Sequence, residues 1–225
     1  RILSQLTGIV ARRYWDEGNA KLLEAVARIL VLTANRTQRE RALAHQALHD
    51  PLTGLANRAN LIAALDHELI RRAGREATGL TLIFCDLNGF KAVNDTYGHG
   101  PGDALLRGVG DVLSRAVRRG DLVCRSGGDE FVVLCPELTE RAEANEVVRR
   151  ITAAFEHPFV IGPDLCVPVS LAMGVAVVDS TAASQHTAEA LLHLADAAMY
   201  SAKRSGSNEV RFVDPAELAR TATRD

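Results

Sequence analysis

Long apolar runs are missing from this sequence: candidates such as residues 29–32 and 80–85 fall far short of the roughly 18 residues that a bilayer-spanning helix needs. A basic excess is missing too, since 26 Lys and Arg stand against 28 Asp and Glu for a net charge of -2. That balance excludes a general nucleic-acid-binding surface, so any nucleotide must be recognised locally. Cysteine is sparse and unpatterned. Cys85, Cys124, Cys135 and Cys166 show no CxxC spacing, and three of them lie in or beside apolar runs, which reads as buried reduced thiols of a cytoplasmic protein. There is no HExxH pattern, and His45 and His49, four apart on an expected helix, read as helix-surface residues. The chain begins at Arg1 without a methionine or a signal-peptide pattern, so the expectation is a cytoplasmic piece of a longer protein. Its 225 residues suffice for one ordinary domain with an appendage, or for two small domains.

What is present falls into two parts. Residues 1–49 are rich in Leu, Ala and Arg, and Leu22, Val26, Ile29 and Thr33 step by four and three before Arg36 and Glu40 interrupt the seam. This is a long helix that either packs on its own domain or pairs with its copy in a second chain. Asp50-Pro51 ends it, because proline disfavours helical geometry in the residue before it, and Thr53-Gly54 supplies a turn. Asn57 can cap the next helix, whose Leu61, Ile62, Leu65 and Leu69 share a face. Residues 80–85 form an apolar run suited to a strand buried on both faces and ending at Asp86. A helix over 101–117, a hairpin from strands 122–125 and 131–134, and a helix over 141–155 follow. Weaker strands at 159–161 and 167–178, a helix over 188–204 and a strand at 210–213 complete an α+β or α/β alternation.

Two clusters carry chemistry. The first starts at Asp86, where a carboxylate at the end of a buried strand is held at the sheet edge. There, one or two such groups and substrate phosphates can hold magnesium. The loop after it offers amides and Lys91 to phosphate oxygens. A calcium loop fits poorly by spacing, since Phe90 stands where an acid is needed and Gly89 comes two positions early. Alone, a plain strand-end loop is the simpler account. The second cluster, Gly127-Gly128-Asp129-Glu130, removes side chains where a ligand could approach and follows with two acids, although Gly-Gly-Asp also suits an ordinary hairpin turn. Taken together, the clusters suit metal-assisted phosphoryl transfer.

The run from Arg125 to Phe131 resembles the signature of the GGDEF family, the diguanylate cyclases. Residues 50–58 (DPLTGLANR), 86–95 (DLNGFKAVND), Gly98-His99 through Gly102-Asp103, and Ala195 to Lys203 resemble its other motifs, in the right order across about residues 50–213. The resemblance implies an α+β, palm-like central sheet, related to the ferredoxin-like folds, with flanking helices and a long N-terminal signalling helix before it. It implies a homodimer in which two GTP-loaded subunits face one another and make cyclic di-GMP with loss of pyrophosphate. By position, Asp86 and Asp129 would bind Mg2+, or Mn2+, with the Leu87 carbonyl. Asp129 would accept the proton, and Glu130 would be a further metal or catalytic carboxylate. Asn94 and Asp103 would read guanine. His99, Lys91 and Lys203 would lie near ribose or phosphates, and Gly89, Phe90, Gly127 and Gly128 would line the nucleotide.

The sequence also departs from the family pattern. Asn88 replaces a frequent Asp, and Ser207 replaces a closing Arg, which weakens GTP binding unless Arg204 compensates. Arg118 and Asp121 fit the family's RxxD product-inhibition site, with five residues between Asp121 and Gly127, so cyclic di-GMP would be inhibitor as well as product. A helix end followed by a turn is the plainer account of the same residues. Residues 14–35 resemble the last helix of a GAF-type sensor. The expected organisation is thus a helical linker over 1–49, a catalytic domain over 50–215 and a tail over 216–225. A non-catalytic module that binds GTP or cyclic di-GMP, and a cyclase with another product, are the rival readings.

Overall fold

The computed structural model describes residues 25–36, 46–72, 79–179, 185–205 and 209–215. The chain divides into two compact units, Arg1–Ala47 and Leu48–Asp225. In the first, residues 25–36 are helical, and Val26, Ile29, Leu30, Val31 and Leu32 are all exposed. Half of the GAF-like segment, residues 14–24, together with His45 and Ser207, lies outside the described residues. Among the described residues, no helix is long and apolar enough to cross a membrane.

The second unit is built on a six-stranded sheet of order β1-β3-β4-β2-β7-β8. Its strands are β1 (Ala56–Asn57), β2 (Leu80–Asn88), β3 (Leu122–Gly127), β4 (Glu130–Cys135), β7 (Ser170–Val178) and β8 (Val210–Val213). A separate hairpin pairs β5 (Phe159–Gly162) with β6 (Leu165–Val167). Five helices of this unit are numbered α1 (Arg58–Arg72), α2 (Phe90–Tyr97), α3 (His99–Ala116), α4 (Arg141–Ala154) and α5 (Ala188–Ser205). β2 lies inside the sheet, antiparallel to β4 on one side and to β7 on the other.

Alternation along β2 decides which helices cover which face. Ile83, Cys85 and Leu87 belong to a core with Leu105, Val109 and Leu113 of α3 and Val147 and Ile151 of α4. Leu80, Leu82 and Phe84 belong to the other core, with Leu61, Leu65 and Leu69 of α1 and Leu191, Ala195 and Met199 of α5. The result is an α+β palm-like fold, a mixed sheet between two helical layers. Asn57 caps α1 as expected, its Oδ1 accepting from the Asn60 amide at 3.0 Å.

Three local expectations need correction. β2 does not end at Asp86 but continues to Asn88, so Asp86 lies within the sheet, flanked by strands on both sides. The segment after it is not a plain loop. Gly89 takes the left-handed conformation (φ 78°) and turns the chain into α2. That helix is short and rich in residues of low helix propensity, and Phe90 and Val93 anchor it on the core, so its periodicity is faint in sequence. The single strand expected at 167–178 is two, because Pro168 has no N–H to offer a ladder and separates β6 from β7. Cys85, Cys124 and Cys135 are buried while Cys166 is exposed. Burial pushes the Cys85 and Cys124 thiols up to about 12, so both stay un-ionised.

Helix and sheet approach closely at Gly174 of β7, where an added Cβ would stand 2.0 Å from the Ala195 carbonyl oxygen and 2.3 Å from the Met199 nitrogen. Backbone cannot yield as a side chain can. Gly174→Ala is therefore expected to cost about 3 kcal/mol, measured as a shift of the urea midpoint at unchanged m-value.

Candidate active site

The register of β2 against β4 sets Asp86 directly opposite Glu130, and against β7 it sets Asp86 opposite Ala172. Directly paired residues project from the same face, so both carboxylates stand on the side covered by α1 and α5, where Phe84 lies two positions earlier. One residue on, the Leu87 amide donates to the Asp129 carbonyl at 3.3 Å. Asp129 therefore meets Asp86 at the tip of the β3–β4 hairpin. The tip turns through Gly128, whose φ of 50° favours glycine, and a Cβ there or at Gly127 would meet nothing within 4 Å. Gly127 and Gly128 are exposed, leaving open space beside the two acids.

Arg125 holds this tip in place. Its Nε and Nη2 donate to the Gly128 carbonyl at 3.0 and 2.7 Å, while Nη1 donates to both oxygens of Asp50 at 3.1 and 3.2 Å. Asp50 in turn accepts from the Thr53 amide and hydroxyl at 2.9 and 2.7 Å. Burial would raise the Asp50 carboxyl, but the hydrogen bonds from Thr53 and Arg125 outweigh it and hold the group below its usual 3.8.

The acids themselves crowd one another. Burial and then the charge of Asp86 raise Asp129, with Lys203 and Arg125 working in the opposite sense. Burial, Asp196, Asp86 and Asp129 raise Glu130 against the pull of Arg58. Lys203, from the last turn of α5, places Nζ 2.5 Å from Oδ1 of Asp86, which is only 6% exposed. Like charges held this close, with an ammonium already drawn onto one of them, form an environment that favours a cation. Among the described residues no three His, Cys, Asp or Glu side chains form a closed metal cage. The donor set suits a divalent ion that takes one or two carboxylates and completes its shell with carbonyl and phosphate oxygens.

The remaining expected site residues fall into two groups. Gly89, Phe90 and Lys91 open α2, whose N-terminus offers amides to an anion, and Lys91 is exposed. Asn94 of α2 faces the first turn of α3, where Gly102 precedes Asp103; His99 begins α3 and is exposed. Arg118 and Asp121 lie apart from the acids. Asp121 Oδ2 accepts from the Arg118 amide at 2.8 Å, and both residues line a cavity shared with His67, Arg71 and Glu137.

Four contributors were not legible as site residues. Arg58, on α1, donates to the Ser126 hydroxyl at 3.3 Å, and Asp196, on α5, acts on Glu130. The Asp50 to Arg125 clasp spans 75 residues. Arg150 has Nε and Nη2 buried without a hydrogen-bond partner, and it acts with Asp121 and Arg118 on the Cys135 thiol. Asp50, Arg58, Arg125 and Asp196 lie within motifs read from the sequence, but the contacts they make join residues far apart in the chain.

Residues 47–209 match the family described as diguanylate cyclase, GGDEF domain. The chain is 39% identical over 180 residues to the diguanylate cyclase TpbB of Pseudomonas aeruginosa, covering 80% of this chain and 40% of that protein. It is 40% identical over 167 residues to the response regulator PleD of Caulobacter vibrioides, covering 73% of this chain and 36% of that protein. The chain thus spans less than half the length of these curated relatives. Among solved structures, the GGDEF domain of YfiN, also called TpbB, from Pseudomonas aeruginosa superposes with a TM-score of 0.66 at 37% identity, covering 72% of this chain and 98% of that one. The GGDEF domain of DgcB from Caulobacter crescentus, solved in complex with c-di-GMP, superposes with a TM-score of 0.66 at 27% identity, covering 74% and 96% respectively.

The clasp on the hairpin tip has a measurable pH signature. A carboxyl depressed on folding stabilises the fold above its unfolded pKa, and the contribution fades as pH falls through the lower folded value. Asp50→Asn is expected to cost about 1 to 3 kcal/mol at pH 7. The gap to the native chain in urea unfolding should narrow as pH drops below 3.8.

Proposed function

The chain belongs to the GGDEF domain family of the diguanylate cyclases, and on that premise we propose that it condenses two GTP molecules into cyclic di-GMP with release of two pyrophosphates. The observation that carries this reading is the register that sets Asp86 opposite Glu130 with Asp129 beside Leu87. In the proposed roles, Asp86, Asp129 and the Leu87 carbonyl hold a divalent cation, with Glu130 as a further carboxylate. The cation, when bound, would neutralise charge on the triphosphate and orient it. Lys203, Lys91 and the first amides of α2 bind phosphate oxygens, and His99 lies near the ribose. Asn94 and Asp103 read the guanine edge. The open space over Gly127 and Gly128 admits the nucleotide.

Each subunit supplies half of the reaction, so the active species is a homodimer with two loaded sites face to face. The 3′-hydroxyl of one GTP attacks the α-phosphate of the other, the bond to pyrophosphate breaks, and the hydroxyl proton passes to Asp129. A second event of the same kind closes the ring.

Product inhibition is proposed at Arg118 and Asp121. The cavity they line is separate from the acids, and Arg71 and Arg119 on its wall offer further cations for an anionic ligand.

Two outcomes test this reading. Incubated with GTP and magnesium, the native chain should yield a product with the mass of cyclic di-GMP, and Asp129→Ala should reduce turnover by about 100-fold or more; absence of product from the native chain at high concentration would favour a non-catalytic nucleotide-binding module. Arg118→Ala should keep turnover while raising the concentration of cyclic di-GMP needed to halve it. Unchanged inhibition in that variant would remove the RxxD assignment.

A further inference from the structure

The corner between α2 and α3 is built around one side chain. Gly98, at φ 86°, donates its amide to the Asn94 carbonyl at 2.8 Å and turns the chain back, so that the first turn of α3 packs over Asn94. Gly102, the fourth residue of α3, is buried there. A Cβ on Gly102 would stand 1.9 Å from Oδ1 of Asn94, 3.0 Å from its Cγ and 3.6 Å from its Nδ2; these are the three nearest atoms, and all belong to Asn94. The absent methyl group is thus the space that the Asn94 carboxamide occupies.

A second feature says that this position is held against the preference of the amide itself. Oδ1 of Asn94 is buried without a hydrogen-bond partner, one of only two residues so placed among the described side chains. A buried acceptor left unpaired costs free energy, and such groups persist where the surroundings fix them for another purpose. Here the surroundings are the Gly98 turn and the bare Cα of Gly102.

We propose that Gly102 is a positioning residue for base selection, which acts by keeping the Asn94 carboxamide in the one place from which it can read guanine. This rests on the proposed role of Asn94. Gly102 need touch no part of the nucleotide. The contrast with Gly174 defines the signature, since a methyl group there strikes backbone and damages the fold. At Gly102 it strikes the far end of a flexible side chain, which can swing away. Alanine is also the better helix former inside α3. Gly102→Ala therefore yields a chain at least as stable as the native one and less able to tell guanine from adenine.

The test is a double-mutant cycle read by calorimetric binding of non-hydrolysable GTP and ATP analogues with magnesium, together with thermal unfolding. Native chain should prefer the guanine analogue. Gly102→Ala should lower that preference about tenfold, in line with one lost hydrogen bond. Its adenine affinity should change by less than about twofold on the same reasoning, and its Tm should not fall. In an Asn94→Ala background, adding Gly102→Ala should change the preference no further. An undiminished preference in Gly102→Ala, an equal loss for both nucleotides, or the same loss in both backgrounds would each overturn the proposal. A native chain that prefers guanine but makes no cyclic di-GMP would sink the catalytic reading and leave this one standing. A native chain without the preference would sink the base-reading role and this proposal together.

Discussion

The arrangement of the acids depends on one constraint, the register of β2 against β4. Side chains on a strand alternate between faces, so a slip of one residue would carry Asp86 into the α3 and α4 core and bring Leu87 to the face covered by α1 and α5. Both faces of β2 are packed. Ile83, Cys85 and Leu87 commit to one core while Leu80, Leu82 and Phe84 commit to the other, and every one of them is almost wholly buried. The apolar alternation that makes the sheet fold is therefore the same device that aims Asp86 at Glu130. With β7 on the other side, Asp86 is held by two neighbours and has little freedom to move.

Electrostatics at the site run against stability. Asp86, Asp129, Glu130 and Asp196 influence one another inside a partly buried space, and burial raises the two hairpin acids further. Such crowding is tolerable because Lys203 and Arg58 lie among the acids, and because Arg125 ties the hairpin tip to Asp50 from outside the cluster. The opening motif at residues 50–58 thereby acquires a physical task. It brings Asp50 under Arg125, Arg58 against Ser126 and Asn57 to the head of α1.

Much of this was legible in the sequence. Residues 80–85 read as a strand buried on both faces because nearly every one of them is apolar, and the hairpin around Gly127-Gly128 read correctly because paired glycines between β-rich runs are a strong turn signal. The palm-like architecture followed from several motifs in order. What escaped had no local code. The helix α2 is held by tertiary contacts of Phe90 and Val93, and the break at Pro168 depends on which sheet each half joins. Arg58, Asp196 and the clasp of Arg125 on Asp50 became visible only when residues far apart in the chain met.

The central claim is that Asp86 and Asp129 share one divalent cation beside a bound guanine nucleotide. Electron paramagnetic resonance of Mn2+, titrated into the chain with a non-hydrolysable GTP analogue present, tests it without requiring turnover or the correct dimer. The account predicts one tight Mn2+ site per chain that weakens about tenfold or more in Asp86→Asn and likewise in Asp129→Asn, in keeping with loss of one charged ligand. Native-like Mn2+ affinity in either variant would contradict it.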